Sequence, residues 1–331
     1  KMASYLKQEL LAKDYQQKAD LLKVKINTQF WVEKDHSYAD FIATKQQALH
    51  LMEDAIVRAD TLGNGWAVKE LTKMKAATVL DTTSKNKGFV MHHNWVVNTP
   101  LETGVAENDQ AIKALNTAKR FSNGFGMYVT GIDKNEKRDM QEYSYAASVG
   151  KNDFTYTGTV MTLPTAVQII AENNYGRPDE AYDLLKKVNK TFGYALPGSM
   201  YEVSPDYGMM TQAWNVYAYG EPIVKQFFGI RPYAFKKQVI VSPQLPAVLT
   251  HGSIEHVVIG DNQVSVSFKQ EKNSIDFTIN QNANDWKILF QQPVGKFKSW
   301  KLNGKTIKPI VVGNMEQIEI FMQKATVLLN N

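Results

Sequence analysis

The chain has 331 residues, of which 44% are hydrophobic and 11% aromatic, so it can form two domains with buried cores and is too apolar to be disordered. Its net charge of +5 is small, and Lys and Arg are spread along the chain, which argues against a nucleic-acid-binding or membrane-binding surface. The absence of cysteine excludes disulfides and cysteine-ligated metals, and no apolar run of about 18 residues could span a membrane.

Apolar residues spaced three and four positions apart predict helices through most of the first 230 residues. The first predicted helix runs from Tyr5 to Trp31, and Leu6, Leu10 and Leu22 lie on its apolar face. An apolar loop follows from Gly88 to Trp95. Residues 122–157 form a long irregular stretch, which inside a compact domain is usually functional. The other predicted helices are Phe41 to Leu62, Val68 to Leu80, Pro100 to Ala106, Asp109 to Phe121, Thr159 to Asn173, Asp179 to Asn189 and Met209 to Phe228.

The hydrophobic period changes from 3.6 to 2 after Arg231-Pro232, which predicts half-buried strands separated by Asn-Gly and Gly-Asp-Asn turns. We therefore expect a helical domain over residues 1–235 and a C-terminal antiparallel β-sandwich over residues 236–331. The alternating apolar residues are Val239, Val241, Val257, Ile259, Val264, Val266, Phe268, Ile275, Phe277, Ile279, Ile318, Ile320 and Met322.

The segment from Ala195 to Gly208 carries two carboxylates, Glu202 and Asp206, among Tyr201 and Tyr207. A carboxylate among aromatic rings at the mouth of a helical domain is placed to act as an acid or a base on a sugar. The structural alternative is that Asp206 caps the last helix and Glu202 pairs with a lysine.

This segment, continued by Gln212-Ala213-Trp214-Asn215, resembles the end of the six-hairpin (α/α-toroid) glycosidases. The most similar group is the bacterial glycogen-debranching (amylo-α-1,6-glucosidase) type, and α-rhamnosidases and trehalases are more distant. In that group a Glu before the last toroid helix is the general base, and a Gln-Ala-Trp signature follows on the helix. The resemblance therefore assigns the general base to Glu202.

Three further stretches resemble the same group. Tyr156 to Met161 looks like a loop that opens a helix, although Met161 and Thr162 stand where Trp and Pro are common. Phe30-Trp31 with Tyr38-Ala39-Asp40 resembles the turn after a mid-toroid helix, and Trp95 to Ala106 resembles the start of another inner helix.

The resemblance implies a mainly helical fold, a partial or complete (α/α)6 toroid followed by the β-sandwich. It also implies an inverting glycoside hydrolase that acts on α-linked glucosides or related plant or bacterial oligosaccharides, without a metal or cofactor. The substrate would be an oligosaccharide or polysaccharide, and a periplasmic or secreted location is favoured over a cytoplasmic one. The expected substrate-binding residues are Trp95, His92, Asn94, Tyr156, Thr157, Tyr201 and Trp214.

An inverting enzyme needs a general acid and a separate base about 6.5–9.5 Å apart. The group's acid lies well before the Phe30-Trp31 turn, so we expect it upstream of Lys1. The chain would then be the later part of a toroid, hydrolyse glycosides poorly by itself, and occur as a homodimer or as the remainder of a longer chain. Glu102, Asp153 and Asp206 are secondary carboxylate candidates within the sequence.

Two other functions remain open from the sequence. A polysaccharide lyase of α-toroid plus β-sandwich type would use His92, Asn94 and Tyr156 for proton abstraction. A non-catalytic carbohydrate-binding remnant would keep the toroid without its acid. His92 also has a structural alternative, since a histidine in an apolar loop commonly packs in the core.

Overall fold

A computed structural model describes residues 2–61, 63–83, 85–131 and 159–331 of the chain. The chain divides into two compact units, Lys1–Tyr219 and Gly220–Asn331. The first is helical with short strands, and the second is built from sheets.

Most helices of the first unit follow the predicted 3.6-residue pattern, with ends that differ by a few residues. The helix predicted from Met209 to Phe228 is a correction, because it is an α-helix only over Ala213–Tyr219 and a π-helix over Gly220–Phe227. The segment from Ile26 to Phe30 continues α2 as a π-helix, and Lys119–Phe121 ends α7 as a 3-10 turn. The α-helices are α1 Met2–Tyr5, α2 Glu9–Lys25, α3 Lys45–Thr61, α4 Gly65–Leu80, α5 Asn94–Val97, α6 Thr99–Glu102, α7 Asn108–Ala118, α8 Thr162–Asn174, α9 Pro178–Asn189 and α10 Ala213–Tyr219.

The pairs α3–α4 and α8–α9 are helical hairpins joined by short glycine turns. Gly63 and Gly176 adopt positive φ angles of 65° and 72°, a conformation that glycine reaches without a side-chain clash. Pro178 stands at the start of α9, where its missing N–H costs no hydrogen bond. The sequence prediction of antiparallel helix pairs is confirmed at both places.

Helix α8 lies at the centre of the first unit. Its residues from Thr162 to Asn173 are buried with the single exception of Leu163, which is half-buried. It packs against α6, α9 and α10 and against short strands described below. A helix buried on nearly all sides can place several loops at once, and the candidate site depends on this property.

Helix α2 is the opposite case, because none of its residues is buried. Leu10 is 87% exposed and Leu22 is 57% exposed. The apolar face that the sequence predicts is present, but it has no covering partner in the part of the chain that the structure describes.

Short antiparallel ladders correct the expectation that the first 230 residues are nearly all helix. The helix predicted from Phe41 begins instead at Lys45, because Phe41–Ala43 pairs with Lys87–Phe89 inside the predicted apolar loop. Two or three residues per strand are too few to show a period of two. The ladders in the described part of this unit join β1 Trp31–Val32 to β2 Ser37–Tyr38, β3 Phe41–Ala43 to β4 Lys87–Phe89, and β5 Met127–Tyr128 to β6 Val160–Met161.

The second unit contains two sheets. The six-stranded sheet has the order β14-β13-β17-β11-β10-β9, and the five-stranded sheet has the order β15-β16-β12-β8-β7. The strands are β7 Ile230–Tyr233, β8 Gln238–Val241, β9 His251–Ile259, β10 Asn262–Glu271, β11 Ser274–Gln281, β12 Lys287–Pro293, β13 Ser299–Leu302, β14 Lys305–Ile307, β15 Ile310–Val312, β16 Met315–Ile320 and β17 Lys324–Asn330.

The alternating residues of these strands form one core between the two sheets. The rings of Phe277 in one sheet and Phe290 in the other lie 5.2 Å apart, and Phe290 meets Trp300 edge-on at 5.9 Å. Val264, Val266 and Phe268 of β10 are buried as predicted. Met322 is 42% exposed, which corrects its assignment to the core, because β16 ends at Ile320.

Two further features differ from the predicted antiparallel sandwich of residues 236–331. Strand β8 pairs with β12 in parallel, with Val239 opposite Ile288, so the five-stranded sheet is mixed. The compact unit also begins earlier, because Val224 of the π-helix Gly220–Phe227 and the following Phe228 pack on the sheet core. Within the described residues, no helix combines the length and apolarity that crossing a membrane would require.

The exposed face of α2 predicts self-association of the chain. We expect the wild-type protein to form dimers or larger species as its concentration rises, since extended exposed apolar surface favours association. Substituting Leu10 and Leu22 together by Gln should shift the protein towards monomer. Sedimentation velocity over a concentration series measures this.

The control for α2 is Lys13→Gln, which changes an exposed residue of the same helix without removing apolar surface. It should associate like the wild type. A wild-type protein that stays monomeric at all concentrations would refute this role for α2.

Candidate active site

The structure places the segments singled out by the sequence in one continuous ladder. His93 pairs with Thr130, Val160 pairs with Tyr128, and Met161 pairs with Val203, which bridges in turn to Tyr207. The backbone N–H of Ser204 also donates to the carbonyl of Val160 at 2.9 Å. The loop of His92 to Trp95, the start of α8 and the Glu202 segment are therefore neighbours in space.

Glu202 lies on the last part of this ladder with its side chain half-buried. Its backbone N–H donates to the carbonyl of Met209 at 2.8 Å, and its Oε2 lies 3.5 Å from the N–H of Met209. Gly208 has a φ of +87°, and a Cβ atom there would lie 3.1 Å from Glu202 Oε2. The positive φ favours glycine at this turn, and a Cβ atom there would crowd the carboxylate that lies against it.

Two aromatic residues pack against the apolar cluster to which the Glu202 segment contributes Val203. Trp214 and Tyr207 pack against the cluster of Val129, Met161 and Val203. Val203 directly follows Glu202 in the sequence. The indole N–H of Trp214 is buried and has no hydrogen-bond partner among the described residues. Tyr201, which precedes Glu202, is half-buried.

Asn215 fixes the Glu202 segment to α8. Its Nδ2 donates to the carbonyl of Met200 at 2.8 Å, and its Oδ1 accepts a 2.5 Å hydrogen bond from the hydroxyl of Thr162. Asn215 is 7% exposed, so these partners are not replaced by water. In the sequence Asn215 is only the last residue of the Gln212-Ala213-Trp214-Asn215 signature, and its function as a link between the Glu202 segment and α8 is not apparent there.

The loop from His92 to Trp95 lies on the other side of the ladder, and neighbouring strands in a ladder are about 4.8 Å apart. Trp95 is half-buried and its ring centre lies 4.8 Å from that of His93. Trp95 and Glu202 therefore lie on outer segments of the ladder, with the β5 and β6 segments between them. Only an extended ligand could contact both.

His92 and Asn94 have mainly architectural contacts. The ring of His92 lies 4.4 Å from that of Phe121, and burial, with a smaller effect of the Arg120 charge, lowers the pKa of His92 to about 3. Asn94 is 0% exposed, and its Nδ2 donates to the carbonyl of Tyr128 at 2.6 Å. These contacts agree with the packing alternative that the sequence left open for His92.

Asp40 is a buried carboxyl group whose role the sequence analysis missed. It accepts hydrogen bonds from the backbone N–H groups of Met91 at 2.5 Å and His93 at 2.8 Å, and so holds the start of the His92–Trp95 loop. Burial raises the pKa of Asp40 to about 6, although these N–H groups act in the opposite direction. The partners of Asp40 are backbone N–H groups, which every residue except proline carries, so the sequence does not indicate which residues it binds.

The secondary carboxylates have separate places. Glu102 accepts a hydrogen bond from the hydroxyl of Tyr217, so it joins α6 to α10. Asp206 lies in the turn between Val203 and Tyr207 rather than at the start of α10. Asp153, Tyr156 and Thr157 lie outside the described residues. Among the residues that are described, no group of His, Asp and Glu is arranged to hold a metal ion.

No protein-family model matches the chain, and no curated protein matches its sequence. Among solved structures it is similar to the α-L-rhamnosidase from Dictyoglumus thermophilum, at 13% identity and a TM-score of 0.47 over 86% of this chain and 32% of that chain. The α-L-rhamnosidase of Streptomyces avermitilis complexed with L-rhamnose is 15% identical, with a TM-score of 0.44 over 85% and 26%. A GH127 β-arabinofuranosidase is 12% identical, with a TM-score of 0.29 over 72% and 43%. These three neighbours are glycoside hydrolases, and the chain spans about a third or less of the two rhamnosidases.

The contacts of Asn215 predict a stability effect. Asn215→Leu should leave the carbonyl of Met200 and the hydroxyl of Thr162 buried without their partner, which costs about 1–3 kcal/mol per group. The neighbouring Val216→Ala is the control, since Val216 is 73% exposed. Urea unfolding measures both variants, and equal stability of the two would contradict the linking role of Asn215.

Asp40 predicts a dependence of stability on pH. A carboxyl group whose pKa is raised by folding stabilises the fold below its ordinary pKa, and this contribution is lost as the pH rises through about 6. The free energy of unfolding of Asp40→Asn, relative to wild type, should therefore increase between pH 5 and pH 8. Urea unfolding at both pH values measures the difference.

The control for Asp40 is Asp60→Asn, since Asp60 is an exposed carboxylate on α3. Its stability relative to wild type should be the same at both pH values. A difference for Asp40→Asn that stays constant, or that moves in favour of the wild type as the pH rises, would refute the prediction.

Proposed function

We propose that the chain carries the general-base part of an inverting glycosidase site in an α/α-toroid, with Glu202 as the base. The proposed substrates are α-linked glucosides or related plant or bacterial oligosaccharides, cleaved in the manner of the glycogen-debranching type. A periplasmic or secreted location is proposed on the same resemblance.

The observation that carries the proposal is the setting of Glu202. Its side chain is half-buried over Gly208, and the next residue, Val203, packs in an apolar cluster with Trp214 and Tyr207. Two hydrogen bonds of Asn215 hold this segment against the start of α8. A half-buried carboxylate on a segment held in this way is suited to activate a water molecule next to a bound sugar.

The described carboxyl groups do not supply an obvious general acid. Glu102 is bonded to the Tyr217 hydroxyl. Asp40 has the raised pKa that suits an acid, but its oxygens accept backbone N–H groups, and it holds the loop on the far side of the ladder from Glu202. We therefore assign only the base to this part of the chain.

The lyase alternative receives less support from the geometry. A proton-abstracting base must reach its substrate, whereas the amide of Asn94 is fully buried and bonded to Tyr128. The ring of His92 packs against that of Phe121 at a centroid distance of 4.4 Å. A carbohydrate-binding protein without activity remains the second candidate, since the half-buried aromatic residues Trp95 and Tyr201 would serve it equally well.

The test uses a substrate that needs no acid. Fluoride leaves without protonation, so α-D-glucosyl fluoride requires only a base-activated water. We expect the chain to hydrolyse it, and Glu202→Gln to lose about 10²–10⁴-fold in rate. Ordinary α-glucosides, which need the acid, should react far more slowly, and nuclear magnetic resonance of the first product should show an inverted anomer.

The matched control is Glu271→Gln, which removes an exposed carboxylate from β10. It should hydrolyse the fluoride like the wild type. Unchanged activity of Glu202→Gln would refute the base. Binding of oligosaccharides without any fluoride hydrolysis would favour the non-catalytic candidate.

A further inference from the structure

A cavity that is separate from the Glu202 segment lies between α8, α9 and the chain that follows α7. Its volume is about 290 Å³, close to the lower limit of about 300–1,000 Å³ that is usual for small-molecule sites. Its lining includes Lys119, Gln168, Glu172, Asp183, Leu184 and Lys187.

The distance along α8 separates this cavity from the candidate active site. Thr162, which bonds Asn215 behind the Glu202 segment, stands at the start of the helix. At a rise of 1.5 Å per residue, Gln168 and Glu172 lie about 9 Å and about 15 Å further along the axis. A molecule bound over Gln168 and Glu172 would therefore occupy a different place from one bound over Glu202.

The floor of the cavity is polar and rigid. Gln168 and Glu172 are each 1% exposed, and Gln168 Nε2 donates to Glu172 Oε1 at 3.0 Å. The other carboxyl oxygen of Glu172 lies 2.8 Å from Nε of Arg177. Burial raises the pKa of Glu172 to about 7 in spite of Arg177, so near neutral pH this carboxyl group can either donate or accept a hydrogen bond.

The rim carries Lys187, whose ammonium group has hydrogen-bond donors left for a ligand. Lys187 is half-buried, its ammonium donates to the hydroxyl of Ser122 at 3.1 Å, and within the described part of the chain it forms no ion pair. An ammonium group has three N–H donors, so two remain for a ligand. Elsewhere on the lining, Lys119 pairs with Glu180 at 3.4 Å, and Asp183, one turn before Lys187 on α9, pairs with Lys186 at 2.7 Å.

The remaining wall is apolar, since Met127 is 1% exposed and Leu184 is 8% exposed. The lining thus combines carboxyl groups, ammonium groups and an aliphatic wall. A free anion would face Glu172, Glu180 and Asp183, and a free cation would face Lys119 and Lys187. A hydroxyl group suits both charges, because it donates to a carboxylate and accepts from an ammonium group.

We propose that this cavity binds one neutral polyhydroxylated molecule of monosaccharide size. Its hydroxyl groups would accept from Lys187 and exchange hydrogen bonds with Glu172, and its C–H face would lie on Leu184 and Met127. The inference does not depend on the proposed activity, because none of these residues belongs to the Glu202 segment.

The experiment titrates the full chain with D-glucose and with sorbitol and measures the heat of binding by isothermal titration calorimetry. The ligand concentration is raised to about 50 mM, because millimolar affinity is expected for a ligand of this size. Saturable binding of at least one of them is expected, and the pair separates a ring sugar from an open polyol. D-Glucuronate, which adds a carboxylate to the same ring, should bind at least about tenfold more weakly. No saturation by either neutral probe, or equal binding of glucuronate, would overturn the proposal.

Variants locate the binding. Lys187→Met should weaken binding about tenfold by removing a hydrogen bond, and Leu184→Trp should abolish it by filling the cavity. Lys187→Met keeps the test valid if Leu184→Trp does not fold, which circular dichroism checks. Glu202→Gln should bind the neutral probe like the wild type. Loss of binding in Glu202→Gln, or retention in both cavity variants, would assign the ligand elsewhere and overturn the proposal.

Discussion

The first unit depends on the burial of α8. From Thr162 to Asn173 this helix exposes no polar side chain to water, so its polar residues need partners within the protein. Thr162 bonds Asn215, Gln168 accepts a hydrogen bond from Asn98 at 3.0 Å, and Glu172 pairs with Arg177. These bonds occur at successive heights along one axis, and each fixes a different element.

This arrangement explains how loops far apart in sequence are held in fixed positions. The Glu202 segment is bound at the start of α8 through Asn215, and the turn that contains Asn98 is bound at its middle. The end of α8 is tied to α6, because Asn174 Nδ2 donates to the carbonyl of Leu101 at 3.1 Å. A helix that was free to rotate or shift would lose all of these partners together, so the position of the candidate base follows from the packing of the whole unit.

The short ladders serve a second requirement, which is that backbone groups removed from water are paired. The loops around α8 pair both within themselves, as Val203 does with Tyr207, and with each other, as Met161 does with Val203 and His93 with Thr130. Asp40 completes the set by accepting the N–H groups of Met91 and His93 in the loop that leads into α5. The Glu202 segment therefore rests on main-chain contacts more than on side-chain recognition.

The sequence by itself determined which faces are apolar and where the chain turns. It predicted the helix pair around Gly176, the alternation of Val264, Val266 and Phe268, and the change from helix to strand, because periodicity and turn residues are local properties. Its proposal that Glu202 acts as a base still awaits the test of activity. The apolar face of α2 shows the limit of such prediction, since a periodic face does not reveal what covers it.

Only the tertiary structure decided the pairings. Phe41 pairs with Phe89, and Asp40 binds the backbone of Met91, 51 residues away. Strands of two or three residues have no readable period, and a bond to a backbone N–H requires no particular partner residue. The burial of Asn94 and the linking role of Asn215 were hidden for the same reason: the partner of a polar group is chosen by the packing of distant segments, which local sequence does not record.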